Sequence, residues 1–129
     1  MTESHLPSYI SSILALILLV EPAVAACKAP PVRQGMTYSR ARAIVIKSGF
    51  FAPSLPGYGY SENDQKVISE CNGNVNLCNK YPEIDSCSGD GYCRMNFTDA
   101  YGNTFSVVTY GEISDGSAGV TGVEIACKK

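Results

Sequence analysis

Six cysteines, Cys27, Cys71, Cys78, Cys87, Cys93 and Cys127, constrain this chain more than any other feature. What they become depends on the compartment, and the residues ahead of them bear on that. Ile10–Val20 is an apolar run of 11 residues, followed by Glu21-Pro22 and then by Ala23-Val24-Ala25-Ala26 directly before Cys27. A short apolar core, a helix-breaking proline and a small-x-small site form the pattern of a secretory leader, here cleaved before Ala26. At 1.5 Å per residue the run extends about 16 Å into a ~30 Å hydrocarbon layer, so no transmembrane span is expected. The leader departs from the usual pattern in carrying Glu3 and neither Lys nor Arg. Export would place all six cysteines in an oxidising space, where disulfides are expected rather than thiols or metal ligands.

A second processing route uses the same residues. Val24-Ala25-Ala26-Cys27 resembles a bacterial lipobox, in which the cysteine is lipidated and anchors the protein as a lipoprotein. That route leaves five cysteines, an odd number, whereas ordinary cleavage leaves six that pair without remainder. Residues 1–25 are therefore read as a signal peptide and 26–129 as one small domain, periplasmic or secreted. All 10 Lys and Arg lie beyond the leader, and Glu3 and Glu21 are lost from the 12 acidic residues, so the mature charges balance. Without a basic block, neither nucleic acid nor an anionic membrane surface is an expected partner.

Six cysteines allow about 15 pairings. The preferred set is Cys27–Cys127, Cys71–Cys78 and Cys87–Cys93. The last has the strongest local reason, because Cys-Ser-Gly-Asp-Gly-Tyr-Cys can fold back through its two glycines. A domain of this size buries only about two-thirds of its unfolded surface, so cross-links matter to it.

The hydrophobic pattern supplies the elements. Thr37 is an N-cap for a helix over Tyr38–Lys47, with Tyr38, Ala41, Ile44 and Val45 on one face, Arg40, Arg42 and Lys47 pointing elsewhere, and Gly49 ending it. Phe50-Phe51-Ala52 reads as a short strand or core anchor, and Pro53–Tyr60 as a loop. Ser61 is expected to cap a second helix whose buried side is Val67, Ile68 and Cys71. Residues 72–91, rich in Asn, Gly, Asp and Ser, read as loop held by disulfides. After Cys93 the period becomes two: Cys93, Met95 and Phe97 share a face, Asp99–Asn103 turns, and Thr104–Tyr110 returns with Phe105, Val107 and Thr109 on one face. Val120–Lys128 is a third strand with Val123, Ile125 and Cys127 alternating. The expected fold class is α+β: one or two helices packed on an antiparallel sheet of at least three strands, stabilised by disulfides.

Pro31-Val32, Gly35-Met36-Thr37, Ala41-Arg42 and Gly49-Phe50 resemble the opening of a PASTA domain. The resemblance covers about twenty residues. It implies a helix on a three-stranded antiparallel sheet in an exported bacterial protein, with cell-wall peptidoglycan or β-lactams as ligands of some members. A longer set resembles small uncharacterised exported bacterial proteins: the same helix motif, Tyr81-Pro82-Glu83, Cys87-Ser88-Gly89 with Cys93, and the Gly102…Val107…Thr109…Gly111 hairpin. That likeness implies a fold and carries no activity.

The chemistry available is narrow. The only histidine, His5, leaves with the leader, so Ser-His-Asp and Cys-His catalysis have no base in the mature chain. No Cys-x₂-Cys pair suggests zinc. Glu83, Asp85 and Asp90 are the carboxylates a small hydrolase would use, but nothing in their spacing sets the two-carboxyl geometry that glycosidases need. Asp85, Ser88 and Asp90 lack the loop-closing Glu of a calcium site. Asn96-Phe97-Thr98 is a formal glycosylation sequon inside an expected strand. Ser88-Gly89-x-x-Tyr92 coincides with a pattern in periplasmic lysozyme inhibitors, and Tyr58 and Tyr60 could form an aromatic binding lip. The expectation is an exported, non-enzymatic domain without cofactor, binding or structural at the cell envelope, with peptidoglycan or a secreted protein as partner. An inhibitor of a secreted enzyme such as lysozyme is the first alternative, and a hydrolase using acidic residues the second.

Overall fold

The structure, a computed structural model, describes residues 27–129. The leader expected over 1–25 and the cleavage site before Ala26 lie outside the described residues. The fold is α+β, with three helices, a five-stranded antiparallel sheet and three disulfides.

Helix α1 spans Tyr38–Lys47. Thr37 caps it, its side chain accepting from the Arg40 amide, and Gly49 leaves it at φ +92°, a conformation open to glycine at little cost. Tyr38, Ala41 and Val45 are buried, one helical stripe of the kind the sequence spacing requires. Strand β1, Phe50–Phe51, follows at once.

The second helix starts later than Ser61. Helix α2 is Gln65–Glu70 with Asp64 as N-cap residue, and the Asp64 carboxylate accepts from the Ser61 amide at 2.6 Å, so it closes the preceding turn rather than capping the helix. Val67 and Cys71 are buried as expected, but Ile68 is 54% exposed. Six residues make too short a helix to bury a wide face, and neighbouring positions 67 and 68 diverge by about 100°.

Residues 72–91 are not all loop. Asn74 accepts from the Leu77 amide and starts helix α3, Val75–Lys80. Strand β2, Ile84–Cys87, then pairs with β3. The polar composition that reads as loop is here cap and turn chemistry: Asn72 and Gly73 take positive φ between α2 and α3, where Cys71–Cys78 joins the two helices.

Strands β3, Tyr92–Asp99, and β4, Thr104–Tyr110, form the central hairpin, and β5, Gly119–Ala126, is the outer strand beside β4. β1 and β2 both pair with β3 on the edge away from β4: Phe51 opposite Thr98, Cys87 opposite Cys93. Met95, Phe97, Phe105 and Val107 point inward and join Tyr38, Ala41, Val45 and Val67 in one core. A register shift between Val108 and Thr109 brings Val120 opposite Thr109 and Val123 opposite Val107. Val120 is buried, whereas Val123, on the outermost strand, is 44% exposed. A PASTA-like plan of one helix on three strands would lack α2, α3, β1 and β2.

The segment entering α1 is zipped to the start of β5. The amides of Gly35, Tyr38 and Ser39 donate to the carbonyls of Val120, Ala118 and Gly116, and Val120 returns a bond to Met36. Cys27–Cys127, with Cα atoms 5.8 Å apart, ties the same two chain segments together further out. These bonds fix the N-terminal end of α1, and the pairing of β1 with β3 holds the chain that leaves its C-terminal end, which positions the cleft described next.

Candidate functional site

Tyr38 and Arg42 are four residues apart on α1 and therefore neighbours on its surface. Both reach Glu83, which the Tyr81-Pro82 turn presents just ahead of β2. The Tyr38 hydroxyl donates to Glu83 Oε1 at 2.6 Å. Arg42 Nε donates to the same oxygen, and Arg42 Nη2 lies 3.4 Å from Oε2. The Glu83 side chain is fully buried, while that of Arg42 keeps 29% exposure. An uncompensated carboxylate at such depth would cost several kcal/mol; a guanidinium fork and a phenol offset that cost. Burial, reinforced by the Glu83 charge, pushes the Tyr38 phenol well above its ordinary range, so it remains a donor. The hydrogen bond that Arg42 donates to Glu83 likewise raises Arg42 further, against the opposing effect of burial.

Tyr81 completes the cluster. Its ring meets Tyr38 edge-on at 5.4 Å, and the Arg42 guanidinium and Lys80 ammonium lie 5.6 and 5.2 Å from its centroid. Such contacts favour cations at the ring by about 0.5–1 kcal/mol each at exposed sites. Lys80 is also held by the Ser114 carbonyl at 2.6 Å.

A cleft of about 550 Å³ opens between α1 and the end of α3. Arg42, Lys47, Lys80 and Ser39 supply its polar lining, and Ala43, Ile46 and Tyr81 its apolar lining. Among the described residues, three cations and no carboxylate line it; Glu83 stands behind Arg42, out of solvent. Gly116 closes the wall beneath. It sits at φ +76°, and a Cβ there would come 3.0 Å from Ser39 Cβ and 3.4 Å from the Tyr81 hydroxyl.

The other candidates are scattered. Asp85 is exposed on β2. Asp90 is exposed at the β2–β3 turn and accepts from the Ser88 hydroxyl. Neither lines the cleft, and Glu83 is committed to Arg42 and Tyr38. Among the described residues, no three His, Cys, Asp or Glu side chains gather as a metal set. Tyr58 and Tyr60 do not form a common lip. Tyr58 projects at 83% exposure, whereas Tyr60 packs on the core, with its backbone N–H and C=O bonded to the Asn79 side chain. Ser88 and Tyr92 are joined through backbone and hydroxyl bonds within the loop that Cys87–Cys93 closes, and the Tyr92 ring leans on Tyr110 at 4.9 Å. Asn96 is half-buried on β3, its side-chain oxygen accepting from Ser106 at 2.7 Å.

The chain matches no protein-family model, no curated protein and no solved structure. The site therefore stands on its own geometry.

Sequence reasoning passed over the Tyr38–Arg42–Glu83 cluster. The sequence pattern puts Arg42 off the buried face of its helix and Glu83 in a loop. The available signal was the i, i+4 pairing of a tyrosine from the buried stripe with an arginine, which predicts a shared partner at the stripe's edge.

Proposed function

We propose that this chain is an exported, non-enzymatic binding module that acts at the cell envelope through the cleft between α1 and α3. The observation that carries the reading is the buried Glu83. A carboxylate removed from solvent and spent on one guanidinium fixes Arg42 in a cleft wall, beside Tyr81 and two lysines. Pre-organised polar groups over an apolar floor are what a binding site needs, and the volume falls in the ~300–1,000 Å³ range of small-molecule sites. The leader-like Ile10–Ala26 and three disulfides support export. Peptidoglycan is the envelope ligand to try first. Retention of purified, disulfide-intact protein on isolated peptidoglycan tests it, and no retention above a control protein removes the wall-binding form.

A second reading, an inhibitor of a secreted enzyme, draws on the exposed turn Ser88–Gly91. It is stapled by Cys87–Cys93 and tied by the Ser88 amide to the Tyr92 carbonyl at 2.7 Å. A rigid protruding loop binds at low entropic cost. Lysozyme activity unchanged at micromolar protein would sink that target.

A further inference from the structure

The cleft does more than mark a place for binding; its chemistry selects a class of ligand. This step rests on the binding-module reading above. Arg42 has five N–H donors, of which the Glu83 contacts occupy two, so three remain on a guanidinium that is held in place and still 29% exposed. Lys47, exposed at the C-terminal end of α1, has no described partner, and Lys80 is anchored through Ser114 and Tyr81. The Ser39 hydroxyl adds a neutral donor. Because Arg42 and Glu83 cancel, the two lysines leave the site net positive. The nearby acid is Asp115, held below the ordinary carboxylate range by its hydrogen bonds with Ser117 and, to a lesser degree, by Lys80; it is exposed and outside the lining. Ile46, 46% exposed, and Ala43 add an apolar strip beside these charges.

We propose that the cleft captures the free carboxylate end of a short peptide, with Arg42, Lys47 and Lys80 around the carboxylate and an apolar peptide side chain over Ile46 and Ala43. A small inorganic anion satisfies only half of this surface: it would leave the apolar strip wet and much of the cleft volume empty. A neutral peptide amide satisfies the other half and leaves the two lysine charges unanswered. The planar carboxylate suits the remaining edge of the Arg42 fork.

The test uses the disulfide-intact protein, isotope-labelled for amide NMR, with N-acetyl-trialanine as free acid, the same peptide as C-terminal amide, and inorganic phosphate. The free acid should give saturable shifts at Ser39, Arg42, Lys47, Lys80 and Tyr81, weakened by added salt. The amide and phosphate should each bind at least ~10-fold more weakly, about 1.4 kcal/mol. Lys47→Gln with Lys80→Gln should lower the affinity for the acid by a similar factor, with the rest of the spectrum unchanged; Lys47→Gln alone, at an exposed position, serves if the double variant is perturbed. Equal binding of acid and amide, equal binding of phosphate, shifts elsewhere, or no shifts would each overturn the proposal. The two readings separate cleanly. Wall retention that survives in the lysine variants leaves the module standing and removes this site. Acid-peptide binding without wall retention does the reverse.

Discussion

Arg42→Met and Glu83→Gln remove the same ion pair, yet they should not cost the same. The Glu83 side chain is fully buried and Arg42 is 29% exposed. Arg42→Met fills similar space but strands a carboxylate in the core with Tyr38 as its one remaining side-chain donor. Leaving a buried charge without its partner costs about 3–5 kcal/mol. Glu83→Gln keeps an acceptor for Tyr38, and Arg42 can turn its head into the cleft and be hydrated. The loss is then that of a charge-assisted hydrogen bond, about 1.5–2 kcal/mol. The double variant removes both charges and should be more stable than Arg42→Met alone by ~1–2 kcal/mol, because no unpaired charge is left inside. Urea unfolding at neutral pH, with the three midpoints compared at a common slope, measures all of this. Equal losses for the two single variants, or a double variant as unstable as their sum, would refute the claim that Glu83 is the desolvated partner.

Three further outcomes follow from the same geometry. Replacing Cys27 and Cys127, 100 residues apart, by serine should cost up to ~4.7 kcal/mol from chain entropy, against ~2.4 kcal/mol for Cys71 and Cys78, 7 apart; paired urea melts rank them. Thr109→Val should be neutral to stabilising by ~1 kcal/mol, because the Thr109 hydroxyl is buried with no hydrogen-bond partner among the described residues; a loss above ~1 kcal/mol would show that the hydroxyl is satisfied. Desolvation works to raise Asp99, but bonds from Asn103, Tyr101 and Gly102 prevail and hold its carboxyl below the ordinary range. A depressed folded value means that its contribution is complete above about pH 4 and is lost as pH falls through the folded value, so Asn103→Ala should raise the Asp99 midpoint in an NMR titration and flatten the acid limb of stability.

The strands and the first helix were legible because one physical signal fixed each. Burial at every second residue from Cys93 to Phe97 follows the apolar alternation of the sequence, as do Phe105, Val107 and Thr109 on the return strand, where Ser106 is buried as well. Thr37 and Gly49 bracket α1 with local capping chemistry. The three bridges are the preferred cysteine set, but the sequence does not choose among the pairings; the strongest local reason is the Gly89–Gly91 turn between Cys87 and Cys93. Less legible were α3 and β2. Each is short, of 6 and 4 residues, and is held by contacts remote in sequence: α3 by Cys71–Cys78, β2 by its pairing with β3. Composition cannot tell an Asn that caps from an Asn that loops. The site lay in the same blind region. Glu83 is a buried charge in a polar stretch, and only its tertiary neighbours, 45 residues away at Tyr38 and 41 at Arg42, reveal it. Tyr58 and Tyr60 are an aromatic pair in sequence only: Asn79 pins the backbone at Tyr60 and leaves Tyr58 alone at the surface.

A binding module that works at the cell envelope through this cleft must hold the wall by the cleft's lysines. Co-sedimentation with isolated peptidoglycan, comparing the disulfide-intact protein with its Lys47→Gln, Lys80→Gln double variant, tests that most directly. The wild-type chain should pellet in a saturable manner and the double variant should be depleted from the pellet at least ~10-fold, the ~1.4 kcal/mol assigned to the two ammonium groups. Wild-type protein left wholly in the supernatant, alongside an inert control, would contradict it.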